Sequence, residues 1–192
     1  ATKEKNPNLQ LVPQGMHPAI IYGVVNVGTQ DGDYQGRPTA SNKLKLVFEL
    51  PLHRQLYWKD DTIPSPSAMI MDFNYSVSKN KKSGKKSKLL EAIESLYGPL
   101  QETQFLTFDI SQMLNLKIFA NVIHYTKQDG TIGAKIAGFA PFNPMMINPD
   151  TVIQTNKPML YSVQMGFECQ AFAELIYFFR KEIKESEEGK AH

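Results

Sequence analysis

The sequence predicts a mainly β fold: five strands with one helix between the third and fourth, then a helical C-terminal extension. Three observations carry this. Five segments alternate apolar and polar residues, or run unbroken through β-branched ones, as strands do. "KLLEAIESLYG" (88–98) changes to helical spacing, with Leu89, Ile93 and Leu96 on one stripe. "GFECQAFAELIYFFRKEIKE" (166–185) spaces Phe172, Leu175, Ile176, Phe179 and Ile183 as one helical face.

The elements follow in order. "AIIYGVVNVG" (19–28) reads as a strand with Ile21, Gly23, Val25 and Val27 on one face and Tyr22, Val24 and Asn26 on the other. "TQDGDYQGRPTASN" (29–42) is rich in Gly, Asp and Pro and reads as a long loop. "KLKLVFEL" (43–50) turns Leu44, Leu46, Phe48 and Leu50 to a core and Lys43, Lys45, Val47 and Glu49 outward. Residues 52–68 hold closely spaced prolines and read as irregular. "MIMDFNYSV" (69–77) alternates again, with Phe73 and Tyr75 on the parity of Met69 and Met71, which places them in the core. Gly98-Pro99 stops the helix. Asp109 caps a short helical turn, and "LKIFANVIHYT" (116–126), "KQDG" and "TIGAKIAGFA" (131–140) form a hairpin. This order is the layout of an OB-fold, a five-stranded Greek-key barrel that commonly binds oligonucleotides across its second and third strands. The expected organisation is a disordered arm (1–15), the barrel (16–142) and the extension (143–192).

Composition narrows the function. Net charge is +2, so no global field draws in a polyanion. Charge is nevertheless uneven: residues 1–140 carry 16 Lys and Arg against 12 Asp and Glu. Six of those cations, Lys79, Lys81, Lys82, Lys85, Lys86 and Lys88, lie within "SKNKKSGKKSK" (78–88), after the third strand. Such a run is either a solvated loop or a footprint for an anion. The single cysteine, Cys169, excludes an intrachain disulfide and a Cys-based metal cage. The four histidines stand apart, and no P-loop, GxGxxG or HExxH is present, so the expectation is a non-enzyme without cofactor or metal. No apolar stretch approaches ~18 residues, and residues 1–15 lack the apolar core of a signal peptide, which predicts a soluble intracellular protein.

Single strands are held by cations that track phosphates and by aromatic faces on which bases stack. The candidate contacts are Lys43 and Lys45 on the second strand, Tyr34 and Arg37 before it, Tyr57 and Trp58 after it, and Lys79, Lys81, Lys82, Lys85 and Lys86 in the lysine run. For Trp58, the only tryptophan, a packing anchor is the equal alternative.

One ordered set of residues resembles a known family. Gly28-Thr29-Gln30, Tyr34, Gly36 and Phe48-Glu49-Leu50-Pro51, followed by "YSVS" (75–78), Ser87-Lys88-Leu89, "IESLYG" (93–98) and "FDISQMLNLKIFANVIH" (108–124), look like bacteriophage-encoded single-stranded DNA-binding proteins. The resemblance covers residues 16–142; Asn115, Tyr97 and the lysine run depart from it, and 143–192 lies outside it. It implies an OB-fold that coats single-stranded DNA during phage replication or recombination, in the cytoplasm of the infected host, alongside phage replication proteins. A protein-interaction module of a replisome or virion, and RNA binding on the same face, remain open. The apolar stripe Phe172, Leu175, Ile176, Phe179 and Ile183 needs a partner, either the barrel or a second copy of the chain.

Overall fold

A computed structural model describes residues 3–76 and 83–192. Five strands, β1 (Gly15–Tyr34), β2 (Arg37–Gln55), β3 (Ser65–Asn74), β4 (Lys117–Thr126) and β5 (Ile132–Pro141), form an antiparallel sheet in the order β3-β2-β1-β4-β5. A short sixth strand, β6 (Met159–Tyr161), adds parallel to β1 at Gly23–Val25. Helix α1 (Lys88–Tyr97) stands between β3 and β4, as its spacing predicts. The sheet does not close: β3 and β5 are unpaired edges, so the expected barrel is an open sheet among the described residues.

Helix α1 starts where Ser87 accepts the Leu90 N–H and ends at Gly98, whose φ of 79° an L side chain adopts only with strain. It buries Leu90 and turns Leu89 and Ile93 inward against the sheet. There they meet Leu44, Leu46, Phe48, Leu50, Phe73, Val122 and Ile136. Asp109 caps a 3-10 turn (Ile110–Met113) by accepting from Ser111 N. A five-residue helix, α2 (Glu102–Leu106), bridges the two.

Two expectations fail for identifiable reasons. Residues 29–42 are not a loop. Thr29 to Tyr34 pairs without a break with Asn42 to Arg37, which makes a projecting ribbon. Gln35 and Gly36 both have positive φ, the requirement of a two-residue hairpin turn, and Asp33 accepts the Gly36 N–H. The alternation in β1 is also broken. Pairing slips between Ile21 and Gly23 and again between Asn26 and Gly28, leaving Tyr22 and Val27 as extra residues. Each bulge flips the faces that follow, so Ile21 and Val24 share the main core, while Tyr22, Val25 and Val27 lie on the opposite face.

That opposite face is covered by the extension. Helices α3 (Gln170–Glu174) and α4 (Tyr177–Glu185) replace the single helix expected over 166–185; the chain is extended at Leu175 and Ile176. Phe172, Leu175, Phe179 and Ile183 pack with Tyr22, Val25, Val27, Val47 and Tyr161. The apolar stripe thus has an internal partner, and only Ile176 of the five predicted residues stays exposed. A last turn, α5 (Glu187–Lys190), presses on β1. A Cβ at Gly28 would come within 2.6 Å of the Glu188 carboxylate, so the site takes only glycine. Gly23 is restricted likewise by Val47 and by Met159 of β6.

The arm expected to be disordered is docked over its described residues. Asn6 N donates to Tyr57 O, Lys59 N to Glu4 O and Gln10 N to Gln55 Oε1; Val12 is buried in the main core.

The seating of the extension can be measured in two ways. Phe179→Ala should cost about 3–5 kcal/mol in urea unfolding, whereas the exposed Ile176→Ala should change it by less than about 0.5 kcal/mol. Equal effects would mean that α4 is not seated as described. The second measurement concerns Glu188. Burial pushes its carboxyl up, but the Thr29 N–H and hydroxyl, at 2.7 Å each, outweigh burial and hold it below its ordinary 4.5. A carboxyl held low stabilises the fold above its ordinary pKa and loses that contribution as pH falls through the lowered value. Glu188→Gln should therefore flatten the loss of thermal stability on acidification below about pH 4.5; an unchanged profile would remove Glu188 from the latch.

Candidate nucleic-acid interface

The ribbon carries opposite charges on its two faces. Alternation along β2 puts Arg37, Thr39, Ser41 and Lys43 on one side, opposite Gln30 and the side-chain-free Gly28 and Gly32. Asp31, Asp33, Pro38 and Ala40 lie on the other. Lys43 stands at the ribbon's base, where its Nζ donates to Asn74 Oδ1 at 2.6 Å. Arg37 is exposed at the tip, paired with the backbone of Tyr34, whose side chain lies outside the described atoms. The cations thus stand at the two ends of this side, while at its base Gly28 and Gln30 meet the extension through Glu188 and Glu182 O.

Lys45 is a correction. Expected to face solvent, it is buried, its side chain 11% exposed, with Nζ 2.7 Å from Asp72 and 2.8 Å from Glu182 of α4. Burial pushes its pKa down, but hydrogen bonds to Asp72 and Glu182 outweigh this and hold it above the ordinary lysine value, so it stays charged. It is a clasp under the extension and cannot reach a phosphate while α4 is seated. Val47 and Glu49, also expected outside, are buried for the same reason. The Glu49 carboxylate accepts Thr155 N, Asn156 N and Asn156 Nδ2 at 2.7–2.8 Å. Its charge, after burial itself, helps push the Tyr22 hydroxyl up to about 12.

The remaining predicted residues divide between the two ends of β2. Tyr75 N donates to Asn42 O, so the segment leaving β3 starts beside Lys43. Of the lysine run, Lys79, Lys81 and Lys82 lie outside the described residues. Lys85 is exposed, whereas Lys86 forms an ion pair with Glu94 of α1. Tyr57 and Trp58 sit at the far end of β2, roughly 40 Å of strand from Lys43. Both backbone N–H groups there bond Asp61, the Tyr57 hydroxyl donates to Ser67, and Trp58 pairs with Lys5 of the arm. Trp58 is half-buried, which favours the packing role weighed for it.

Of the two aromatics assigned to the core by parity, Phe73 is buried and Tyr75 is 40% exposed, because the strand ends at Asn74. A cleft of about 710 Å³ between β3, α1 and β5, with Lys88 and Lys135 on its rim, was not foreseen. Its residues are far apart in sequence and no local pattern joins them. His53 bonds Ser67 and His124 bonds Val12 O, so both have structural partners. Among the described residues no cluster of His, Cys, Asp and Glu could hold a metal, and no helix is long and apolar enough to cross a membrane.

No family model matches this sequence, and no curated protein or solved structure matches it.

Lys45→Met should cost about 1–3 kcal/mol, because it leaves the largely buried Glu182 carboxylate without its cation. Urea unfolding of this variant beside Glu182→Gln measures it; an unchanged midpoint for both would mean that the clasp adds nothing to docking.

Proposed function

We propose that this chain binds single-stranded nucleic acid without sequence preference, and that its ligand is single-stranded DNA during phage replication or recombination. The observation that carries the reading is the strand order β3-β2-β1-β4-β5 with α1 between β3 and β4. An OB-fold barrel has this order and adds only a β3–β5 pairing. The ribbon supports the reading as the first connection of such a fold. It presents Arg37 and Lys43 on one face, and the chain leaving β3 passes beside Lys43 at Tyr75. Cations spaced along an extended surface suit a phosphate backbone. The outer face of β1 and β2 lies under the extension, so in this reading the strand engages the ribbon and the β3–α1 segment. The chain acts by coating; catalysis is not part of the proposal.

A protein-interaction role has its own support. Ile176, Tyr177 and Phe178 are exposed in succession beside a hollow of about 450 Å³ lined by Met159, Leu160 and Ala171. This short surface replaces the buried stripe as the place where a second copy or a replication protein would touch.

Titration with labelled oligo(dT) separates the two. A coating protein shows log K falling linearly with log salt, and Arg37→Ala with Lys43→Ala flattens that slope by up to about 0.7 for each phosphate the protein no longer neutralises. An interaction module shows no salt-dependent binding, and that result would end the nucleic-acid reading. A parallel titration with oligo(U) reads the preference between DNA and RNA.

A further inference from the structure

The ribbon is the part of the sheet with the least to hold it. β4 pairs with β1 only from Gly15 to Ile20, and β6 only from Gly23 to Val25. β3 pairs with β2 no further than Lys43 opposite Asn74. From Thr29 to Asn42 the sheet is therefore two strands wide among the described residues, and none of the described side chains there is buried. A lone two-stranded hairpin is marginal in water, because no apolar burial offsets the entropy of ordering it. This ribbon nevertheless pairs without a break from Thr29 to its turn.

Three consecutive residues at its base are tied to the extension. Thr29 lies on the edge of β1 that β4 and β6 leave open. It donates its N–H to one Glu188 carboxylate oxygen and its hydroxyl to the other, both at 2.7 Å. Gln30 Nε2 donates to Glu182 O at 3.1 Å, and Asp31 pairs with Lys190 at 2.9 Å. Successive residues of a strand point to opposite sides, so these ties reach the strand from both. They are unequal. Asp31 and Lys190 are both more than half exposed, and such a pair adds little. Glu188 takes two charge-assisted hydrogen bonds in a part-buried position, which is the stronger kind.

Glu188 is in turn fixed to the core. The buried Ser186 hydroxyl accepts the Gly189 N–H and donates to Ile183 O, and Ile183 packs in the core beneath α4. A Cβ at Gly189 would lie 2.2 Å from Ile183 O, so only glycine lets α5 fold back on α4. Beyond α5, the His192 ring centre lies 4.8 Å from that of Phe167. The turn is pinned on both sides of Glu188.

We propose that α5 is a strap. Glu188, held on the core through Ser186 and Gly189, keeps residues 29–42 ordered and sets the direction in which the ribbon projects. The C-terminal turn and the candidate interface are then one coupled unit. By linkage, whatever draws Glu188 off Thr29 frees the ribbon, and whatever orders the ribbon tightens α5. The inference concerns the order of the ribbon and holds whatever the ribbon binds. Under the single-strand reading it means that the contact surface is set before a strand arrives, which lowers the ordering cost of binding.

Hydrogen–deuterium exchange on the full chain tests this, with peptides covering 29–42, 43–50 and 186–192 followed in one digest. Glu188→Ala should speed exchange of the ribbon amides about tenfold or more, the factor that a lost charge-assisted hydrogen bond is worth, and leave 43–50 unchanged. Lys190→Ala should speed it no more than a few-fold. Thr29→Val, which removes only the hydroxyl, should speed exchange in both the ribbon and 186–192. Added to Glu188→Ala it should have little further effect, because both changes break the same contact. Lys181→Ala, which opens an exposed ion pair of α4 away from the strap, should change none of the three peptides. Ribbon exchange in Glu188→Ala within about twofold of wild type, less than a hydrogen bond is worth, would overturn the proposal, since the ribbon would then be held by its own turn. Unprotected ribbon amides in wild type would overturn it too, because no strap would be acting. A rise in 43–50 equal to that in 29–42 would also overturn it, since α5 would then support the whole fold and not the ribbon.

Discussion

Phe172, Leu175, Phe179 and Ile183 pack on Val25, Val27 and Val47, and that contact gives the centre of the sheet a second buried face. Every residue of β1 from Ala19 to Gly28 is buried or nearly so as a result. Burying one such side chain is worth roughly 1.5–3 kcal/mol before entropy is charged against it. Four together make the extension part of the folded unit. Polar groups then have to be accommodated beneath it, and the structure does so with pairs. Lys45 meets Asp72 and Glu182, and Glu49 meets three donors from residues 155 and 156. These contacts specify where the cover sits, because a misplaced cover would leave a charge buried without a partner.

The cover also explains the residues on which the family resemblance rests. Gly28 admits α5, and Thr29 donates twice to Glu188. Gln30 donates to Glu182 O, and Glu49 holds the connector before β6. All four contact residues 155–188, a segment outside the resemblance. Their role in this chain is to seat the extension, so a residue can match a binding family's pattern and still serve packing.

With the outer face of β1 and β2 covered, the uncovered parts of the sheet are its margins: the ribbon beyond Gly28 and Lys43, and the seam where β3 and β5 do not pair. The two regions differ physically. The ribbon is two-stranded, with Arg37 at its tip and Lys43 at its base. The seam is a cleft with Phe73 and Phe139 in its lining beside charges of both signs.

Local pattern determined much of this. Ser87 and Gly98 bound α1 because capping and the left-handed C-cap are chemistry of neighbouring residues. Alternation in residues 43–50 assigned Leu44, Leu46, Phe48 and Leu50 to the core, and Lys127 to Gly130 marked the β4–β5 turn. The same pattern could not say whether the face bearing Lys43, Lys45, Val47 and Glu49 meets water or protein. Alternation distinguishes two faces without naming what covers each, and the covering segment lies more than a hundred residues away. Bulges at Tyr22 and Val27 were hidden because an extra residue in a strand has no composition of its own; pairing with β2 creates it. Residues such as Phe73, Lys88 and Lys135 come together only when β3, α1 and β5 meet at the seam. Sequence alone determined the type of most elements and their order, since propensity and capping act over a few residues. Tertiary structure alone decided which faces are buried and where a ligand has room, since burial is a property of two surfaces and the sequence describes one at a time.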